Sequence, residues 1–211
     1  MTKPAGVRIS NTIELYLTGP ERSQAARALQ MIDRVHGDGE LPLTQIVKGP
    51  IYNRWAMEYD PVINRITVNT GQISNFEFKI LHEAAHILDF QVFGHGKGYG
   101  SESANPDMAE LFEAIRRSDA YKKLSAVLDH GFLIRNKPMA VEDLLKEREL
   151  FARCYAQYIT IRSCDHVLLA QLNYILEQDA IRDIVYQWSI SDFKPIGNTI
   201  DRMFGRKKWI R

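Results

Sequence analysis

The stretch LHEAAHILDF, residues 81–90, sets His82 and His86 four residues apart, with Glu83 beside the first and Asp89 one turn beyond the second. On a helix successive residues turn by about 100°, so His82, His86 and Asp89 share one narrow stripe beside the apolar stripe of Leu81, Ala84, Ala85 and Leu88. Two imidazoles one turn apart can both reach a single ion, and neutral imidazole is a good zinc ligand at about 2.0–2.1 Å. Glu83 then projects to one side, where it can take a proton from water at the metal without being a ligand itself. The plainer alternative is a pair of core histidines satisfied by backbone carbonyls. A third ligand separates the two.

LLKERELFARCYAQYIT, residues 144–160, offers one. Leu145, Glu149, Ala152, Ala156 and Ile159 recur at the spacing of a buried helical face, which puts Glu149 in the middle of an apolar stripe. A carboxylate there is expensive without a charge partner. Glu147 lies roughly 200° from Leu145 and reads as solvated. Two partners compete for Glu149: Arg153 as an i,i+4 ion pair, or a zinc ion already held by His82 and His86.

The elements that must position these groups form a mixed pattern. NTIELYLTG reads as a strand with Ile13, Leu15 and Leu17 inward, and PERSQAARALQMIDRV as a helix opened by proline. LTQIVKG and YNRWAMEY are strand candidates; DPVINR turns the latter into ITVNT, a plausible hairpin. From residue 76 the chain turns helical: 76–90 carries the histidines, a loop FGHGKGYGSESANP follows, then helices near 107–118, 119–128 and 141–162 and more to the end. Gly94, Gly96, Gly98 and Gly100 point to a mobile lid over residues 94–104, or to a plain connector.

HEAAHILD followed at a distance by ELFARCYAQY resembles the gluzincin pattern HExGHxxD…ExFAxxFAxY of the anthrax lethal factor and Pro-Pro endopeptidase type of zinc metallopeptidase, and of related phage- and toxin-associated zincin domains. The resemblance covers roughly residues 55–160, including the preceding ITVNT. It implies an α+β zincin-like fold, a small mixed sheet with an active-site helix followed by a helical C-terminal half. It also implies zinc on His82, His86 and Glu149, Glu83 as general base, and Asp89 as orienter of a ligand histidine. Ala85 stands where the pattern has glycine, a mild departure. Where some members carry an oxyanion-supporting tyrosine two turns before the glutamate, this chain has Glu142; His95, Tyr99, Tyr155 and Arg153 are the remaining candidates. The fold further implies an edge strand above the cleft, with residues 63–69 the best candidate to pair with an extended peptide.

The expected activity is therefore zinc-dependent endopeptidase action on a protein or peptide, in a phage- or mobile-element-encoded chain. Two alternatives are a regulatory protease resembling the ImmA/IrrE class, whose glutamate usually follows sooner, and a catalytically silent zincin-fold module such as a phage morphogenesis component. A silent module could fill its groove with the C-terminal segment, where Trp209 and Ile210 are apolar plugs.

Composition bounds these readings. With 211 residues, 45% hydrophobic and 25% charged, the chain has the make-up of one globular domain spanning 1–211, with no linker to divide it. A net charge of +1 gives no whole-chain field toward nucleic acid or membrane; only the basic run RMFGRKKWIR leaves a local phosphate-binding option. Neither a signal peptide nor a spanning segment is legible, so a cytoplasmic location is expected. Cys154 and Cys164, roughly 15 Å apart on one helix, are expected to be reduced, buried thiols.

Overall fold

A computed structural model of the chain describes residues 8–37, 41–51, 56–69, 71, 73–129, 141–182 and 185–209. A short helix α1 (Ile9–Thr12) leads into β1 (Ile13–Tyr16), helix α2 (Gly19–Val35), β2 (Thr44–Lys48), β3 (Met57–Asp60) and β4 (Arg65–Val68). The strands form one mixed sheet in the order β1-β2-β4-β3. β1 and β4 run parallel to β2, whereas β3 and β4 are antiparallel. A parallel pair needs a crossover, and α2, opened by Pro20 in its first turn, supplies it between β1 and β2. β3 and β4 form the expected hairpin, closed by Asn64 at φ 48°, a conformation asparagine tolerates better than most residues. Ile46, Ile66, Val68, Met57 and Tyr59 are buried while their strand neighbours are more exposed, so the period of two turns one sheet face toward the helices.

The sheet order corrects the expected edge strand. Residues 65–68 lie between β2 and β3, and the sheet ends at β3. The pairing Glu58↔Thr67 and the Asn69 N–H bond to the Ala56 carbonyl put the even-numbered residues of β3 on the β4 side. The main-chain groups of Met57 and Tyr59 therefore face outward.

The remainder is helical: α3 (Phe76–Ile87), a π-helical turn (Leu88–Phe93), α4 (Pro106–Arg117), α5 (Asp119–Asp129), α6 (Val141–Leu145), α7 (Glu147–Ser163), α8 (His166–Arg182) and α9 (Ile190–Arg206). The helix expected over 141–162 is interrupted at Lys146, whose extended ψ of 136° separates α6 from α7. From Leu150 to Thr160 every residue of α7 is buried, so this helix runs through the core rather than offering it one stripe. Cys154 is buried as expected, but Cys164 is exposed at the C-terminal end of α7; both are free thiols. Among the described residues no helix is long and apolar enough to cross a membrane.

Candidate metal centre

α3 and α7 pack against each other in the core, which brings the two motifs together. His82 Nε2 lies 3.2 Å from one carboxylate oxygen of Glu149, and His86 Nε2 lies 3.6 Å from the other. One ligand atom from each of His82, His86 and Glu149 falls within 4.8 Å of the others. Ligand atoms about 2.0–2.1 Å from a tetrahedral ion are roughly 3.3–3.4 Å apart, and the two histidine–Glu149 separations are of that order, so the group could hold a metal ion. Two imidazoles and one carboxylate with a side open to a cleft are also a donor set that suits zinc. One feature of a finished site is missing: His86 Nδ1 is buried without a hydrogen-bond partner among the described residues, where a ligand histidine ordinarily has an orienting acceptor.

Electrostatically the three groups behave as a unit. Burial would raise the Glu149 carboxyl, but the hydrogen bond and charge of His82, then His86 and Arg148, hold it down at about 2. For His82, burial opposes protonation and the Glu149 bond and charge overcome it, so its pKa is raised. His86 is pushed down to about 3 by burial and by the neighbouring His82. Glu147, by contrast, pairs with Arg116 at 2.6 Å on the outer side. Arg153 is not the ion-pair partner of Glu149. Its guanidinium donates to the carbonyls of Tyr186 (2.7 Å), Leu144 (3.0 Å) and Val185 (3.2 Å) and lies over the Trp188 ring.

Glu83 sits beside the cluster and is not one of the converging ligands. Its carboxylate accepts the outward-facing N–H of Tyr59 at 2.9 Å, so the edge strand itself positions it. Burial pushes its pKa up to about 7, with the charge of His82 acting the other way. A carboxylate at that value can both take and return a proton near neutrality.

Other expected helpers are dispersed. Asp89 is fully buried, but its carboxylate accepts the backbone N–H and the hydroxyl of Ser101 rather than orienting a histidine. Its own carbonyl accepts the N–H groups of Gly94 and Gly100, so it fastens the glycine-rich loop down. Tyr155 is buried with its hydroxyl 2.7 Å from His36 Nε2, on a different face of α7 from Glu149. His95 is exposed in a turn at φ 53°. Tyr99 is the helper the fold does bring close: its ring is 5.9 Å from that of His86, with Arg148 over its face at 5.4 Å. Burial raises the Tyr99 hydroxyl to about 12, which keeps it a proton-bearing donor. Arg148, 4.0 Å from Glu149, was not legible as a site residue, although its adjacency to Glu149 was a usable signal.

A cleft of about 410 Å³ opens on the His82, Glu83 and Glu149 side and is walled largely by apolar groups, including Met57, Phe78, Leu144 and Ile175. The part of its wall formed by Tyr186 and Gln187 is fixed through the backbone. Asp179 accepts the N–H groups of Tyr186 and Gln187, and Gln157 bonds both the N–H and the carbonyl of Trp188. Trp209 does not line this cleft, and Ile210, the other expected plug, lies outside the described residues. Trp209 stacks on Phe204, and its carbonyl accepts the Gly37 N–H.

No protein-family model, curated protein or solved structure matches the chain.

Proposed function

We propose that this chain is a zinc-dependent endopeptidase with a zincin-like fold. The observation that supports it most is the convergence of His82, His86 and Glu149 from two buried helices, with Glu83 aligned beside them by the N–H of an edge strand. A zinc ion on that donor set supplies Lewis acidity and lowers the pKa of water toward neutrality. Hydrolysis adds water across the C–N bond. Glu83 accepts a proton as the water oxygen bonds to the carbonyl carbon and returns it to the amide nitrogen as the C–N bond breaks. The Tyr99 hydroxyl, on the His86 side, is a candidate to donate to the carbonyl oxygen as negative charge develops there.

An extended substrate has an obvious place to lie. The outward main-chain groups of Met57 and the carbonyl of Tyr59, whose N–H is already held by Glu83, can pair with a peptide laid beside β3, and Met57 also lines the cleft. Such pairing is indifferent to sequence, so specificity falls to the cleft walls.

The test is cleavage of an unstructured protein mixture by the zinc-loaded chain and by Glu83→Gln, with zinc content measured in both. The expected result is equal zinc and turnover reduced by a factor on the order of 10² or more in the variant. Bound zinc without cleavage in the wild type would overturn the reading in favour of a non-catalytic module.

A further inference from the structure

The charged side chains lining the cleft are not equally occupied. Glu149 faces the two histidines, Glu83 accepts the Tyr59 N–H, Asp179 accepts two backbone N–H groups, and Arg153 is spent on three carbonyls. Lys79 differs. It lines the same cleft, is half-buried, and among the described residues its amine has no acidic partner. Burial alone lowers its pKa, with no compensating carboxylate. It lies three and four residues before His82 and Glu83, so its Cβ is about 5–6 Å from theirs on the same face of α3.

We propose that Lys79 is a specificity-determining residue that pairs with a carboxylate of the substrate close to the scissile bond. The inference rests on the peptidase reading of the same cleft. A cation drawn partly out of water without a counter-charge is stabilised by any carboxylate brought to it, while Met57, Phe78, Leu144 and Ile175 take the apolar part of the neighbouring residue. An extended chain advances about 3.3 Å per residue, so the carboxylate belongs within one or two residues of the bond cut. An acidic side chain and a free C-terminus present the same group.

The test uses zinc-loaded Glu83→Gln, which should hold a substrate without cutting it, and fluorescent peptides sharing an apolar centre. Single Glu/Gln exchanges scan the positions around it, and each peptide carries a free or an amidated C-terminus. One carboxylate position should bind roughly tenfold tighter than its neutral counterpart at low salt, and the difference should shrink as salt is added. The arm that carries it identifies side chain or terminus. Adding Lys79→Met should abolish the difference and leave neutral peptides within about twofold; adding Lys79→Arg should retain it. Persistence of the preference in Lys79→Met, no preference at any position, or no binding of any peptide overturns the inference. Cleavage by the wild type without a carboxylate preference sinks this inference and leaves the peptidase reading standing. Lys79-dependent binding without wild-type cleavage does the reverse.

Discussion

At the scale of single residues, on the proposed reading the site is a competition between protons and a metal. Glu149 is the proposed ligand whose loss should matter most, because it sits between both imidazoles. Glu149→Ala is expected to lower zinc affinity by more than about 100-fold, and Glu147→Ala, which removes an outer pair with Arg116, to leave it unchanged. Equilibrium dialysis against a zinc buffer measures both; the reverse order would show that the wrong glutamate was chosen. Protons give a second prediction. His86, at about 3, and Glu149, at about 2, hold none at neutral pH in the zinc-free chain. His82 has its pKa raised above 6.5, and Glu83 is raised to about 7. Zinc binding should therefore displace the proton of His82 and draw part of the proton from Glu83, so that affinity falls as pH is lowered through 7. Calorimetry at pH 6.5 in two buffers of different ionisation enthalpy should show proton release in the wild type and less in Glu83→Gln. Equal release would place Glu83 away from the ion.

At the scale of elements, the loop over 94–104 shows what its glycines are for. A Cβ at Gly94 would strike the Gly98 carbonyl, and one at Gly100 would strike Phe93, so both permit close packing where a mobile lid or a plain connector was expected. Asp89 staples the same loop through Ser101, which holds Tyr99 toward His86. Asp89→Ala should cost about 1–3 kcal/mol, the penalty for leaving buried donors unpaired, and should speed hydrogen exchange in 94–104 while α3 is unaffected. Exchange there as fast in the wild type as in the variant would show that the staple does nothing. The histidine helix, the hairpin and α2 were legible because each is set by local period and turn chemistry. The outer place of β3 was not, because it depends on the parallel docking of β4 on β2 across some twenty residues of sequence. The partner of Asp89 was hidden for a related reason: helical spacing places a side chain on a stripe but does not say which distant loop returns to meet it. Glu149 was found from an apolar stripe, yet α7 is buried all round, so the clue was a carboxylate in a core helix rather than the face it occupies.

At the scale of the molecule, the cleft and Trp209 belong to different sides of α7. Glu149 and Arg153 face the cleft, while Tyr155, about 120° round the helix from Glu149, faces His36 and Phe204. Trp209 closes that second cluster by stacking on Phe204, and its carbonyl ties the end of α9 to Gly37 at the end of α2. Part of the basic run near the C-terminus is likewise engaged: Arg202 and Arg206 pair with Glu110, and Lys207 with Asp107, on α4. Removing residues 205–211 should therefore weaken the scaffold rather than open the site. The loss of the Trp209 side chain and the Gly37 bond alone is worth about 2 kcal/mol, or a fall in Tm of about 4–8 °C for a chain of this size. Peptide binding by the truncated chain, measured well below its Tm, should equal that of the full chain. An unchanged Tm together with a gain in peptide binding would mean that the segment acts as a plug, and would move Trp209 from the core to the cleft.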